Sequence, residues 1–214
     1  MVLLILLLVL TALVSYYIGC LNLLVIASHL IYRKNLMAYE FSNSGITRFF
    51  KDTSLKQLAL FVLLALFKFG FPVLLGGWLM SGYGITVVGR TFAMLCMLMG
   101  CRFPLIGGYR PQSSLAVFTV SAFFVNFELG FGMAVILAIV YFVSHYISLT
   151  AVSAALSAFV LSVVVVENSI VTRMMLVCAI IVIIEHRKSI PRIIKGTEPK
   201  FRYRKDLSYM LDGQ

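Results

Sequence analysis

Four short polar clusters are the candidates for chemistry in this chain, and each carries groups that hold oxyanions. The clusters are Phe41-Ser42-Asn43-Ser44-Gly45-Ile46-Thr47-Arg48, then Cys101 to Ser114 with Arg102, Arg110 and Ser113, then Ser144-His145-Tyr146-Ile147-Ser148, then His186 to Glu198. Hydroxyl, amide, imidazole and guanidinium groups all donate hydrogen bonds, and a guanidinium forks bidentately onto carboxylate or phosphate. Brought to one face, the clusters would make a polar basin for a headgroup-sized or phosphorylated ligand. Left apart, they are four unrelated loops. Lys68 adds a cation inside an otherwise apolar stretch.

Other chemistries lack their usual residues. The chain has no Walker A loop, no GxGxxG opening a helix after a strand, no HExxH and no GxSxG elbow, so nucleotide-driven transport and zinc hydrolysis lose their support. Cys20, Cys96, Cys101 and Cys178 form no CxxC pair and no metal-ligand spacing with histidine. They read as small apolar residues. Neither a metal nor a cofactor is expected, and no residue is assigned a catalytic role.

The elements that must position the clusters follow from composition. Of 214 residues, 61% are hydrophobic and 12% charged, with a mean hydropathy of +1.01. That is far more apolar surface than one core hides from water, so lipid is the solvent. The net charge of +10 does not make a nucleic-acid binder, because the cations sit between apolar runs and form no water-facing stripe. The uncharged run of 31 residues from Val2 to Tyr32 has no Lys or Arg before it. It is too long and wrongly flanked for a cleavable signal peptide and is expected to stay as a membrane span.

A helix crosses the hydrocarbon core in about 20 residues. That length gives spans over about 3–25, 58–80 and 85–99, then about four short ones before Glu185, broken near Glu128, His145 to Ser148 and Glu167. Seven spans are expected, or six if the short third or fourth is re-entrant. The fold class is all-α, polytopic, a single transmembrane domain over 1–214 with a basic tail from 186. Seven spans with the C-terminus inside place 15 of the 18 Lys and Arg on the cytoplasmic side, as short cytoplasmic loops require. Arg90 and Arg173 fall near the outer side, and the N-terminus is then outside. The basic tail reads as a topology anchor drawn to anionic headgroups. Trp78 reads as an interface anchor and His29 as interfacial. Lys68, near mid-membrane, either snorkels toward the cytoplasmic side or floors a wet cleft.

The tail His186-Arg187-Lys188-Ser189-Ile190-Pro191-Arg192-Ile193-Ile194-Lys195-Gly196-Thr197-Glu198 closely resembles the end of the acyl-phosphate-dependent glycerol-3-phosphate acyltransferases of bacteria, the PlsY family, with their H-R-x-N-I-x-R-L-x-x-G-T-E. Ser42 to Thr47 is similar to a worn G-S-G-N-x-G-A-T-N. Lys68 falls at the lysine of L-D-x-x-K-G, Phe103-Pro104 at G-H-x-F-P, and His145 to Leu149 at R-Y-x-S-L. Order and spacing agree over nearly all of the chain. The resemblance implies seven helices and a cytoplasmic-face site in the bacterial inner membrane. There an acyl group would pass from acyl phosphate to the sn-1 hydroxyl of glycerol 3-phosphate, giving lysophosphatidic acid. It also implies substrate contacts from Asn43, Thr47, Lys68, Ser148, His186, Arg187, Gly196, Thr197 and Glu198.

Five positions depart from the family pattern: Phe41 for serine, Ala65 for aspartate, Cys101 for histidine, Ser189 for asparagine, and Pro111-Gln112-Ser113-Ser114 for the glycine-lysine loop G-G-K-G. The last exchange removes both close backbone approach and a phosphate-neutralising cation, although Arg110 and Ser113 remain nearby. The sequence therefore points to a non-catalytic relative, a membrane subunit or a binder of lipid or phospholipid precursor, with membrane lipid and a membrane protein as partners. The alternative is an active acyltransferase using glycerol 3-phosphate and acyl phosphate. A channel or carrier lacks paired intramembrane charges and broken-helix repeats.

Overall fold

The computed structural model describes residues 1–27, 30, 54–105, 114–187 and 189–194. Among them every regular element is helical: α1 Val2–Cys20, α2 Leu23–Ala27, α3 Leu55–Ser81, α4 Thr86–Arg102, α5 Ser114–Val125, α6 Phe127–Ser144, α7 Ile147–Leu161 with a π-helical turn Ser162–Val166, α8 Ser169–Glu185 and α9 Ser189–Ile194. Four of these are long and apolar enough to cross a membrane: α1, α3, α6, and α7 together with its π-helical turn.

Short polar breaks set the helix boundaries. Asn126 ends α5 and caps α6 by accepting from Leu129 N at 3.0 Å. His145 closes α6 in a left-handed conformation (φ 58°), donating its N–H to Tyr141 O at 2.8 Å. Asn168 starts α8 by accepting from Ile170 N and Val171 N. The breaks expected near Glu128, at 145–148 and near Glu167 thus lie at or within two residues of the observed ones, because an N-cap amide works one residue ahead of the helix it starts. The second expected span begins a turn early, at Leu55. Ser54 and Gln57 form a capping box there, with Ser54 Oγ accepting from Gln57 N and Gln57 Oε1 accepting from Ser54 N.

The first expected span is not continuous. α1 stops at Cys20, and the helix resumes as α2 at Leu23. Asn22, the lone amide of a long apolar run, lies in the gap.

α4 is the axis of the molecule and packs on α1, α3, α5 and α8. Its Met94, Met97 and Leu98 are fully buried. Without a hydrophobic drive between helices in lipid, close packing depends on small residues. A Cβ on Gly19 would strike the backbone of Met97 and Gly100, and one on Gly100 would strike Tyr16 and Cys20. A Cβ on Gly76 of α3 would meet Gly89 O at 2.6 Å and, at 3.1 Å, a methyl of Thr11. The levels 11, 76 and 89 near one end, and 19 and 97–100 nearer the other, make α1 parallel to α4 and antiparallel to α3. Phe67, Phe71 and Trp78 on α3 and Phe127, Phe131 and Phe142 on α6 are exposed, the surface a lipid-embedded bundle presents.

Candidate functional site

Hairpin connections of 82–85, 126, 145–146 and 167–168 alternate the helix directions. The C-terminal ends of α4, α6 and α8 therefore stand with the N-terminal ends of α3, α5 and α7 at one end of the bundle. The described chemical residues from three of the four clusters stand there too: Cys101 and Arg102, Ser114, Ser148, and His186, Arg187 and Ser189. Lys56 and Arg192 are at the same end, while Arg90 and Arg173 are at the other.

The end of α8 turns tightly into α9. His186 N donates to Val182 O at 3.2 Å, and Ser189 N donates back to His186 O at 2.9 Å. The turn keeps the imidazole half-buried and leaves Arg187 exposed. α9 then lies against α7, whose first turn carries the half-buried Ser148. Thr150 is buried and returns its hydroxyl to Tyr146 O at 2.8 Å. His186, Ser148 and Ser189 are thus gathered by the junction of α7, α8 and α9.

Cys101, at the histidine place of G-H-x-F-P, is enclosed in the core and is 1% exposed. Its thiol donates to Gly19 O at 3.2 Å. The cysteine acts as more than apolar filling, since it ties α4 to the last turn of α1. Nearby, Tyr16 Oη donates to Phe103 O at 2.5 Å, so α1 and the end of α4 are bonded twice. Cys101 also lies within electrostatic reach of Lys68, Cys20 and Glu185.

Lys68 is enclosed at the level where α1 ends. It is 5% exposed, and its ammonium donates to the carbonyl of Leu21 at the break after α1. Ala65, in the aspartate place one turn earlier, is half-buried and packs against the core.

Ser114 is the last residue of the stretch that stands in place of G-G-K-G, and Ser15 and Arg90 share with it a buried polar atom that has no partner among the described residues. Ser114 is buried at the first position of the 12-residue α5, and its Oγ has no hydrogen-bond partner among the described residues. The first N–H groups of a helix have no intrahelical acceptor, and they sit at the positive end of its dipole. Such a start, with a buried hydroxyl, accommodates an anion. Among the described residues no group of three His, Cys, Asp or Glu could hold a metal ion. Asn43, Thr47, Gly196, Thr197 and Glu198, and the substituted Phe41 and Ser113, lie outside the described residues, as do Arg110 and His29.

A family model described as glycerol-3-phosphate acyltransferase matches residues 9–196. The glycerol-3-phosphate acyltransferase of Thermoanaerobacter pseudethanolicus is 27% identical over 197 residues, covering 90% of this chain and 94% of its own. Glycerol-3-phosphate acyltransferase 2 of Bacillus anthracis is 26% identical, covering 90% and 98%. Among solved structures, the lysophosphatidic acid form of PlsY, an integral membrane glycerol 3-phosphate acyltransferase, superposes with a TM-score of 0.73 at 21% identity, over 92% of this chain and 96% of that one. Its glycerol 3-phosphate form gives a TM-score of 0.70 at 19% identity, over 97% and 99%. These two likenesses concern the fold.

Proposed function

The chain belongs to the glycerol-3-phosphate acyltransferase family, and on that premise we propose that it binds the phosphorylated headgroup of a phospholipid precursor at the site end of the bundle while transferring acyl groups weakly or not at all. One contrast between neighbouring helix ends carries this reading. Ser114 offers, at the start of α5, a hydroxyl with no partner among the described residues, whereas Cys101, in the histidine place, is enclosed and gives its thiol to Gly19 O. A headgroup needs donors and positive potential, which the α5 start, Arg187 and His186 supply. Acyl transfer needs more. The hydroxyl oxygen must lose its proton as it attacks the acyl carbonyl, and the phosphate must be stabilised as its bond to carbon breaks. Cys101 is poorly placed to take that proton, and the glycine-lysine loop that would hold the leaving phosphate is replaced.

The second reading is an active acyltransferase of the bacterial inner membrane with its site on the cytoplasmic face. Retention of Ser148, His186 and Arg187 at one end favours it, as do relatives named glycerol-3-phosphate acyltransferase. The deciding experiment uses the purified full chain in lipid nanodiscs. Equilibrium dialysis with radiolabelled glycerol 3-phosphate reads binding, and lysophosphatidic acid formed from acyl phosphate reads transfer. Binding without comparable turnover is expected. Turnover matching the Thermoanaerobacter relative establishes the second reading, and absence of binding removes the first.

A further inference from the structure

Where α1 ends, interruptions in two helices meet. α1 stops at Cys20, so no continuing helix runs past its last turn. Three carbonyls at the break accept bonds: Ile18 O from Leu21 N at 3.3 Å, Gly19 O from the Cys101 thiol at 3.2 Å, and Leu21 O from the ammonium of Lys68. On α3, Pro72 has no N–H to give to the carbonyl of Lys68 one turn before it. Lys68 therefore belongs to an interrupted turn and reaches across to another.

The surroundings suit a cation fixed in place. Lys68 Nζ lies 5.0 Å from the centre of the Phe69 ring, and the negative end of the α1 dipole points toward it. The backbone of Phe69 is itself tied to α5, since Ser121 Oγ donates to Phe69 O at 3.4 Å. With alanine at position 65, a main-chain carbonyl receives the ammonium where a carboxylate one turn away would otherwise compete for it.

We propose that Lys68 is a positioning residue and not a contact to substrate: its ammonium latches the interrupted end of α1 and so fixes how α2 follows it. The inference goes beyond the proposed function and holds whether the chain turns over substrate or only binds it.

Hydrogen exchange read by mass spectrometry on the full chain in nanodiscs tests the latch without any ligand. In Lys68→Met, amides in 16–27 are expected to exchange about tenfold faster, because a charge-assisted bond that closes a local unit is gone, while amides of α8 stay as in the parent. Lys68→Arg, which keeps the cation, should restore most of the protection. Acceleration spread equally over α8, unchanged exchange in 16–27, or failure of the arginine to rescue would each overturn the proposal. If Lys68→Met is not recovered folded, Lys68→Gln keeps a neutral donor and is expected to give a smaller acceleration, about threefold, again confined to 16–27. Parent-like exchange in that variant overturns the latch equally.

Discussion

The Cys101 thiol donates to the carbonyl of Gly19 across 82 residues of chain, and the bond joins the parallel helices α1 and α4 where their backbones are closest. It converts a position that the family pattern fills with histidine into a structural tie. Cys101→Ala should cost about 1 kcal/mol, the worth of one weak buried hydrogen bond plus a small void. Cys101→His should cost more, about 1–3 kcal/mol, because an enclosed site must take a larger ring. Thermal unfolding in detergent checks both, and a histidine variant as stable as the parent would show that the pocket opens on demand.

Gly100, beside that bond, and Gly82, in the turn at the other end of the bundle, make a sharper case. A Cβ on Gly100 meets main-chain atoms of Tyr16, which cannot swing aside as a side chain can. Gly82, in contrast, has nothing within 4 Å of its Cβ direction and sits at φ −62°. Gly100→Ala is expected to lower stability by about 1–3 kcal/mol, and Gly82→Ala to raise it by about 0.4–1 kcal/mol through the unfolded chain. The comparison within one protein separates crossing geometry from glycine content.

His145 closes α6 at φ 58°, a conformation that glycine adopts freely and a branched side chain does not. Its ring stands edge-on to Tyr141 at 6.3 Å between centres and is otherwise exposed. Relief of the left-handed strain in His145→Gly outweighs the lost ring contact, so the variant should be more stable by about 0.5–1 kcal/mol. A loss of stability would mean that the imidazole does more than the described residues display.

Orientation has its own test. The site end holds Lys56, Arg102, Arg187 and Arg192, and the other end holds Arg90 and Arg173, the asymmetry that short cytoplasmic loops show. In intact cells, a membrane-impermeant thiol reagent should label Tyr83→Cys, in the exposed turn between α3 and α4. It should reach Lys56→Cys and Ser208→Cys only after the cells are opened. The native thiols interfere little, since Cys20, Cys101 and Cys178 are buried and Cys96 is half-buried. Labelling of Ser208→Cys from outside would invert the arrangement.

The all-helical membrane class and the family were legible because they are written in side chains. Helix breaks at Asn126, His145 and Asn168 interrupt apolar runs with residues whose local bonding is strong, and the tail motif from His186 is read directly. The break after Cys20 was hidden, because one amide, Asn22, is the only polar side chain in the gap. The partner of Lys68 was hidden too. It is a main-chain carbonyl 47 residues away, and a carbonyl has no letter in the sequence. The same holds for Cys101, whose acceptor is Gly19 O.

Grafting the lost loop tests how much of the substrate chemistry that stretch alone controls. Pro111→Gly, Gln112→Gly and Ser113→Lys together restore backbone approach and a cation immediately before Ser114, the buried first residue of α5. One or two new charge-assisted hydrogen bonds, each worth about 1.5–3 kcal/mol, should tighten glycerol 3-phosphate binding at least about tenfold. Turnover should not rise in proportion, because Cys101 stays bonded to Gly19 O and Phe41 and Ser189 remain in their altered places. Contacts that hold ground and transition states alike tighten binding without raising turnover. Adding Cys101→His to the graft is then the step at which lysophosphatidic acid formation should first appear, provided that the fold tolerates the ring. Full turnover from the loop graft alone would show that the histidine place is dispensable here, and unchanged binding would show that the phosphate site is built elsewhere.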